Sequence, residues 1–259
     1  MIIPFTKLRQ RYDKLKGLST AEQLDLARGA IARELAADFG ASVQAFEPYA
    51  NSEPFYEAAR KPLCAVETLF AIKRTEEFAA VLKAQGGGRV EGAPELGFRY
   101  VERELVPART TEPARYSNGE EARRFIRFDL LLAGELPILG EVKLKGDNGS
   151  AFYALVQLLA SLAEMATKAQ RQRVWRHYAG LLPDPRTGRF ELYLLFYEFN
   201  FRSKPKSEIL RLTDRLAGKL IACPEIAKHV RRIVALDATW PVEGRIAFRK
   251  LFCHGMNLK

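Results

Sequence analysis

The sequence predicts an α/β protein built on a mixed sheet (an α+β arrangement of elements) with a helical N-terminal extension. Three observations carry this. Over 259 residues, 47% hydrophobic and 28% charged content is that of an ordinary globular chain. The hydrophobic period is helical up to about residue 85 and changes to two from residue 98 onward. Three consecutive strands are then followed by a helix and a fourth strand. That order implies a meander whose last partner returns through a helical crossover, parallel to its neighbour.

In chain order, residues 4–16 are basic and lightly amphipathic, with Lys7, Arg9, Arg11, Lys14 and Lys16 among Leu8, Tyr12 and Leu15. They read as a solvated helix face, with a nucleic-acid-facing arm as the alternative. Ser19 and Glu22 have the spacing of a capping box. Leu24, Ala27, Ile31 and Leu35 continue a helix that Gly40 is expected to close, about five turns in all. Pro48, Pro54 and Pro62 make 46–65 a loop with short helical pieces. A further helix is expected over 65–85, ended by Gly86-Gly87-Gly88. This places an N-terminal helical extension at 1–64 and the main domain at 65–259. Strands are expected at 98–106, 123–132, 136–145 and 190–201, with a short one at 232–237. Helices are expected at 151–169 and 207–222, and residues 244–259 are unassigned.

A net charge of +10 and a pI near 9.6 favour an anionic partner, nucleic acid before membrane. Cys64, Cys223 and Cys253 are odd in number and far apart, which argues against a disulfide framework or a Cys-x-x-Cys metal site and for a reducing compartment. No run has the length of a membrane span, and the N-terminus is too short in apolar residues for a signal peptide; the expectation is a cytoplasmic protein. His177, His229 and His254 lack zinc spacing, and there is no Gly-x-Ser-x-Gly elbow. The aromatic run from Tyr193 to Phe201 reads as sheet core rather than a base-stacking platform. The basic stretch Lys168–Arg176 reads equally as a phosphate-tracking helix or a solvated helix end.

The stretch 127–145 conflicts with its own pattern. Phe128, Leu130, Leu132, Ile138, Val142 and Leu144 make two buried strands, yet Asp129, Glu141 and Lys143 interrupt them. Charge in such strands is costly unless paired or bound, and such conflicts mark functional sites. If the turn spans 134–136, Asp129 faces Glu141 and the carboxylates want a cation between them. If the turn has two residues, Asp129 faces Gly140 and the site weakens. Lys143 shares the face of Glu141, as do Lys145 and Arg127. Two carboxylates with the Val142 carbonyl are hard oxygen donors suited to Mg²⁺ or Mn²⁺. A lysine beside them can hold a water or balance phosphate charge.

Asp129, eleven intervening residues, then Glu141-Val142-Lys143 resembles the PD-(D/E)xK nuclease superfamily. The acid-x-Lys pattern is loose, but it occurs once here, in a buried-looking strand between an aspartate strand and a helix. The resemblance covers about residues 65–201. It implies a restriction-endonuclease-like αβββαβ core and Mg²⁺-dependent (or Mn²⁺-dependent) phosphodiester hydrolysis, with DNA favoured over RNA. It also implies Asp129 and Glu141 as metal ligands, Lys143 as the catalytic lysine, and Gln157 as the supporting residue of the following helix. Phe128 stands where the family name has proline. The extra acid some members carry on the first core helix would be Glu67, Glu76 or Glu77, with Glu102 and Glu104 on the first strand as weaker options. A homodimer would suit duplex cleavage. The same features also fit a nuclease-fold binding or assembly subunit without catalysis, or a protein–protein adaptor whose basic face is incidental.

Overall fold

The computed structural model describes residues 2–29, 31–49, 63–66, 71–108, 115–120, 126–147, 149–183, 188–199, 201, 203–240 and 245–255. Among them lie eight helices and nine strands. Seven strands form one mixed sheet, in the order β2 (Val90–Glu91), β9 (Ala247–Gly255), β8 (Val230–Thr239), β7 (Phe190–Tyr197), β6 (Pro137–Leu144), β5 (Phe128–Ala133) and β3 (Arg99–Leu105). β3–β5 and β5–β6 pair antiparallel, and β6–β7 and β7–β8 pair parallel. The meander followed by a parallel return is the topology expected from the element order. β1 (Ile2–Ile3) and β4 (Arg115–Tyr116) form a separate parallel pair.

The crossover from β6 to β7 is α5 (Ala151–Met165), capped by Ser150, whose hydroxyl accepts from the Tyr153 amide. Every residue of α5 is buried. A helix apolar on nearly all sides belongs between two layers, and α5 packs against the sheet on one side and helices on the other. Those helices are α1 (Lys7–Lys16), α3 (Ala32–Phe46) and α7 (Lys204–Ile221), with α2 (Thr20–Arg28) beside them. α1, α2 and α3 share one apolar core with α5. The opposite sheet face packs against α4 (Thr75–Ala84) through Phe78, Val81 and Leu82.

Several expected boundaries move. The helix expected from Ser19 to Gly40 is two: α2 ends at Gly29 and α3 runs on through Gly40 to Phe46. Gly40 sits mid-helix where α8 (Pro224–Ala227) approaches, and a Cβ there would be 3.2 Å from the Glu225 side chain. Close packing, not termination, explains that glycine. The helix expected over 65–85 begins at Thr75, with 67–70 outside the described residues, and Gly86–Gly88 does end it. The helix expected over 151–169 stops at Met165, because Thr167 caps a new one, α6 (Lys168–His177). The unassigned tail contains β9, and Arg249 of β9 pairs with Asp237 of β8. α1 is not merely a solvated basic face, since Leu8, Arg9, Tyr12 and Leu15 are buried.

Candidate active site

The β5–β6 turn spans residues 134–136. Ala133 pairs with Pro137, and the ladder runs back through Leu132↔Ile138 and Leu131↔Leu139 to Leu130↔Gly140. One further step sets Asp129 opposite Glu141. At that step a side chain takes over from the ladder: the Val142 amide donates to Asp129 Oδ2 at 2.8 Å. Gly140 lets the strands close up, since a Cβ there would lie 3.2 Å from Leu130 Cβ. Val142 and Leu144 point into the α4-side core, so the alternating Glu141 and Lys143 face α5. Lys143 Nζ donates to Glu141 Oε1 at 2.7 Å.

Three charges therefore meet where almost no water reaches: Glu141 is 2% exposed, Lys143 7% and Asp129 8%. Burial, and then the neighbouring Asp129 charge, push the Glu141 carboxyl well above the usual carboxylate range. Burial likewise raises Asp129, against the pull of Lys143 and the Val142 amide. Burial alone would lower the Lys143 ammonium, but the two carboxylates outweigh it and hold it above the ordinary lysine value. With both acids ionised, Glu141 Oε2 is buried with no donor. A proton shared with Asp129, or a cation, would satisfy it.

The other expected members make contacts of their own. The Gln157 side chain donates through Nε2 to the Arg127 carbonyl at 3.1 Å, which braces the start of β5 from α5. Val142 contributes its amide to Asp129. Glu67 lies outside the described residues. Glu77 is used in capping α4: its carboxylate accepts from the Lys73 and Arg74 amides. Glu76 pairs with Arg74 and Arg103 at 3.7 Å each. Both sit on the helix covering the opposite sheet face. Glu104 pairs with Arg127 at 3.2 Å, and Glu102 accepts from the Arg103 amide. Lys145 lies past the end of β6 and is 3.9 Å from Glu198. Tyr193, Phe196 and Tyr197 are buried sheet core, as expected.

Sequence reasoning missed two residues, one that lies over the lysine and one stacked behind it. Tyr153, in the first turn of α5, places its ring centroid 4.8 Å from Lys143 Nζ. Tyr12, from α1, stacks on Tyr153 with centroids 5.6 Å apart and planes 17° apart. Tyr12 stands in the buried stripe Leu8, Tyr12, Leu15 and reads as core. Tyr153 had one signal: it opens the helix after the carboxyl end of a parallel strand, where α/β sheets gather ligands.

The donor set suits a divalent ion. Two hard carboxylates face each other, one oxygen lacks a donor, and a single lysine balances two acids. Among the described residues no group of three or more His, Cys, Asp or Glu side chains gathers for a metal, so the set is minimal. An open cleft of about 590 Å³ lies at the turn end of the sheet, lined by Gly86–Arg89, Gly97–Arg99 and Ala133–Glu135; Asp129, Glu141 and Lys143 are not among its walls. Among the described residues no helix is long and apolar enough to cross a membrane. Comparison with protein-family models, curated proteins and solved structures finds no match.

Proposed function

We propose that this protein is a divalent-metal-dependent nuclease that hydrolyses phosphodiester bonds, in DNA before RNA, on a restriction-endonuclease-like core. The observation that carries the reading is the convergence of Asp129, Glu141 and Lys143 on facing strands, with two acids to one base. The order α4, β3, β5, β6, α5, β7 is consistent with the αβββαβ arrangement. Asp129 and Glu141 would hold Mg²⁺ or Mn²⁺, which supplies Lewis-acid activation of water and charge neutralisation at phosphorus. Glu141 orients the Lys143 ammonium through their 2.7 Å contact. Lys143 in turn is held protonated, as a group that stabilises a phosphoryl oxyanion must be. The net charge of +10, with Arg127 57% and Lys145 73% exposed beside the strand ends, supports an anionic polymer as substrate.

The test is cleavage of plasmid and single-stranded DNA with Mg²⁺ or Mn²⁺, beside calorimetric Mn²⁺ titration. Wild type should cut and bind. Lys143→Ala should lose cutting by at least about a hundredfold and stay folded. Asp129→Ala should lose both cutting and the Mn²⁺ isotherm. Equal cutting by these variants would sink the assignment.

Burial favours a second reading, a binding or assembly subunit of the same fold without catalysis. Glu141 is only 2% exposed, and a phosphodiester has no open path to it in this conformation. That reading predicts salt-sensitive nucleic-acid binding that is unchanged by chelator.

A further inference from the structure

We propose that Tyr153, backed by Tyr12, is a positioning residue for Lys143, so that the N-terminal helix α1 is a working part of the site. The inference rests on the reading of Lys143 as the charge-stabilising lysine. A lysine carries its charge on a flexible four-carbon stem, and it serves a reacting phosphate only if that stem is held. Here it is held on three sides. Glu141 Oε1 takes the ammonium at 2.7 Å. The Tyr153 ring lies beneath it, 4.8 Å from centroid to Nζ, within reach of a cation–π attraction. Gly149 closes the third side: a Cβ there would stand 3.1 Å from Lys143 Cε, 3.2 Å from Cδ and 3.2 Å from the Tyr153 ring, so lysine and ring meet at this glycine.

Tyr153 is itself fixed from α1. Tyr12 stacks on it, and Arg9 lies over the Tyr12 ring at 5.7 Å and over the Tyr116 ring at 5.1 Å. A continuous ladder of cations and rings thus runs from Lys143 to the β1–β4 pair. Ordinary core packing would need only apolar volume at 12 and 153 and the hydrogen bond between the two hydroxyls. A positioning role needs the aromatic faces, and Phe and Leu substitutions separate the two.

The experiment uses the full chain. Steady-state cleavage of DNA with Mg²⁺, over a range of DNA concentrations, is measured beside the ¹H–¹³C signals of the Lys143 ε-methylene, assigned with Lys143→Arg. Tyr153→Phe keeps the face and should cut within about twofold of wild type. Tyr153→Leu should lower kcat about tenfold with KM nearly unchanged. Tyr12→Leu, which leaves Tyr153 in place, should lower kcat about threefold and merge the two ε-proton signals that an immobilised methylene keeps distinct. If Tyr153→Leu does not fold, Gly149→Ala, whose Cβ would crowd both the Lys143 stem and the Tyr153 ring, should show the same kcat loss. Wild-type cutting by Tyr153→Leu or Gly149→Ala, or ε-proton signals unmoved in Tyr12→Leu, would overturn the positioning role. A wild type that cuts nothing, with ε signals that still merge in Tyr12→Leu, would instead overturn the nuclease reading and leave the clamp standing.

Discussion

Two clusters of buried charge occupy the same sheet, at opposite ends and on opposite faces. At one, Asp129 and Glu141 share Lys143. At the other, Glu191 on β7 is 0% exposed and meets Arg232 Nε at 2.6 Å and Arg231 at 3.9 Å, while Glu135 pairs with both arginines. Each cluster places a glutamate inside an apolar strand. They differ in the count of charges: two acids to one base in the first, two to two in the second. Arg127 and Asp147 also act on the first, with opposite signs, and leave the excess in place. Both clusters hold buried atoms without a hydrogen bond, Glu141 Oε2 in the first and the Glu191 oxygens and Arg232 Nε in the second, but the second is balanced in charge and needs no added ion. An unbalanced cluster asks for a cation, and burial alone does not tell the two apart.

The largest expected effect belongs to a carboxyl intermediate between them. Glu164 on α5 is 4% exposed and has Arg9 as its charged neighbour. Burial, against the pull of Arg9, raises it from 4.5 to about 8. Its folded-state value lies above its unfolded one, so its contribution is fully present below pH about 4.5 and is lost as pH rises through about 8. Glu164→Gln should therefore match wild type in urea unfolding at pH 4 and exceed it at pH 9, by on the order of 5 kcal/mol. A constant difference across that range would show that the carboxyl is solvated. Next, Arg232→Ala should cost about 3–5 kcal/mol in urea unfolding at pH 7, because it strands Glu191. A loss under about 1 kcal/mol would break the claim that the second cluster is architectural.

The smallest effect is opposite in sign to that of Arg232→Ala and sharpens the contrast most. Glu141→Gln should be neutral or stabilising by about 1–2 kcal/mol at pH 8 without metal, since it removes the excess charge. The gain should vanish toward acid, where the raised Glu141 carboxyl holds its proton in wild type as well. Millimolar Mn²⁺ should raise the melting temperature of wild type and leave that of Glu141→Gln unmoved. A destabilised Glu141→Gln with no Mn²⁺ effect on either would make the two clusters alike.

Much of this was legible in the chain. The three-strand meander and the shared face of Glu141 and Lys143 follow from period-two alternation, and the crossover helix from the apolar run after Ser150; Asp129 joins that face only through the three-residue turn, which the sequence left open against a two-residue one. Alternation assigns a side chain to a face whatever else the fold does. Other features resisted reading. Gly40 looked like a stop and is a contact with Glu225. Gln157 sits one turn beyond Tyr153 on α5, yet it binds the Arg127 carbonyl while Tyr153 meets the lysine. The helix phase alone offered both.

The sequence by itself determined most element types and the meander with its parallel return, because these rest on side-chain periodicity and on the order of connections; it left the tail 244–259 unassigned and the length of the β5–β6 turn open. Only the tertiary structure decided that α4 turns its glutamates to the far side of the sheet, that Glu191 finds two arginines, and that Tyr12 arrives on Tyr153 from more than a hundred residues away. Those outcomes depend on which helix packs on which face. Packing of that kind is chosen by the fit of whole apolar surfaces, which no local pattern records.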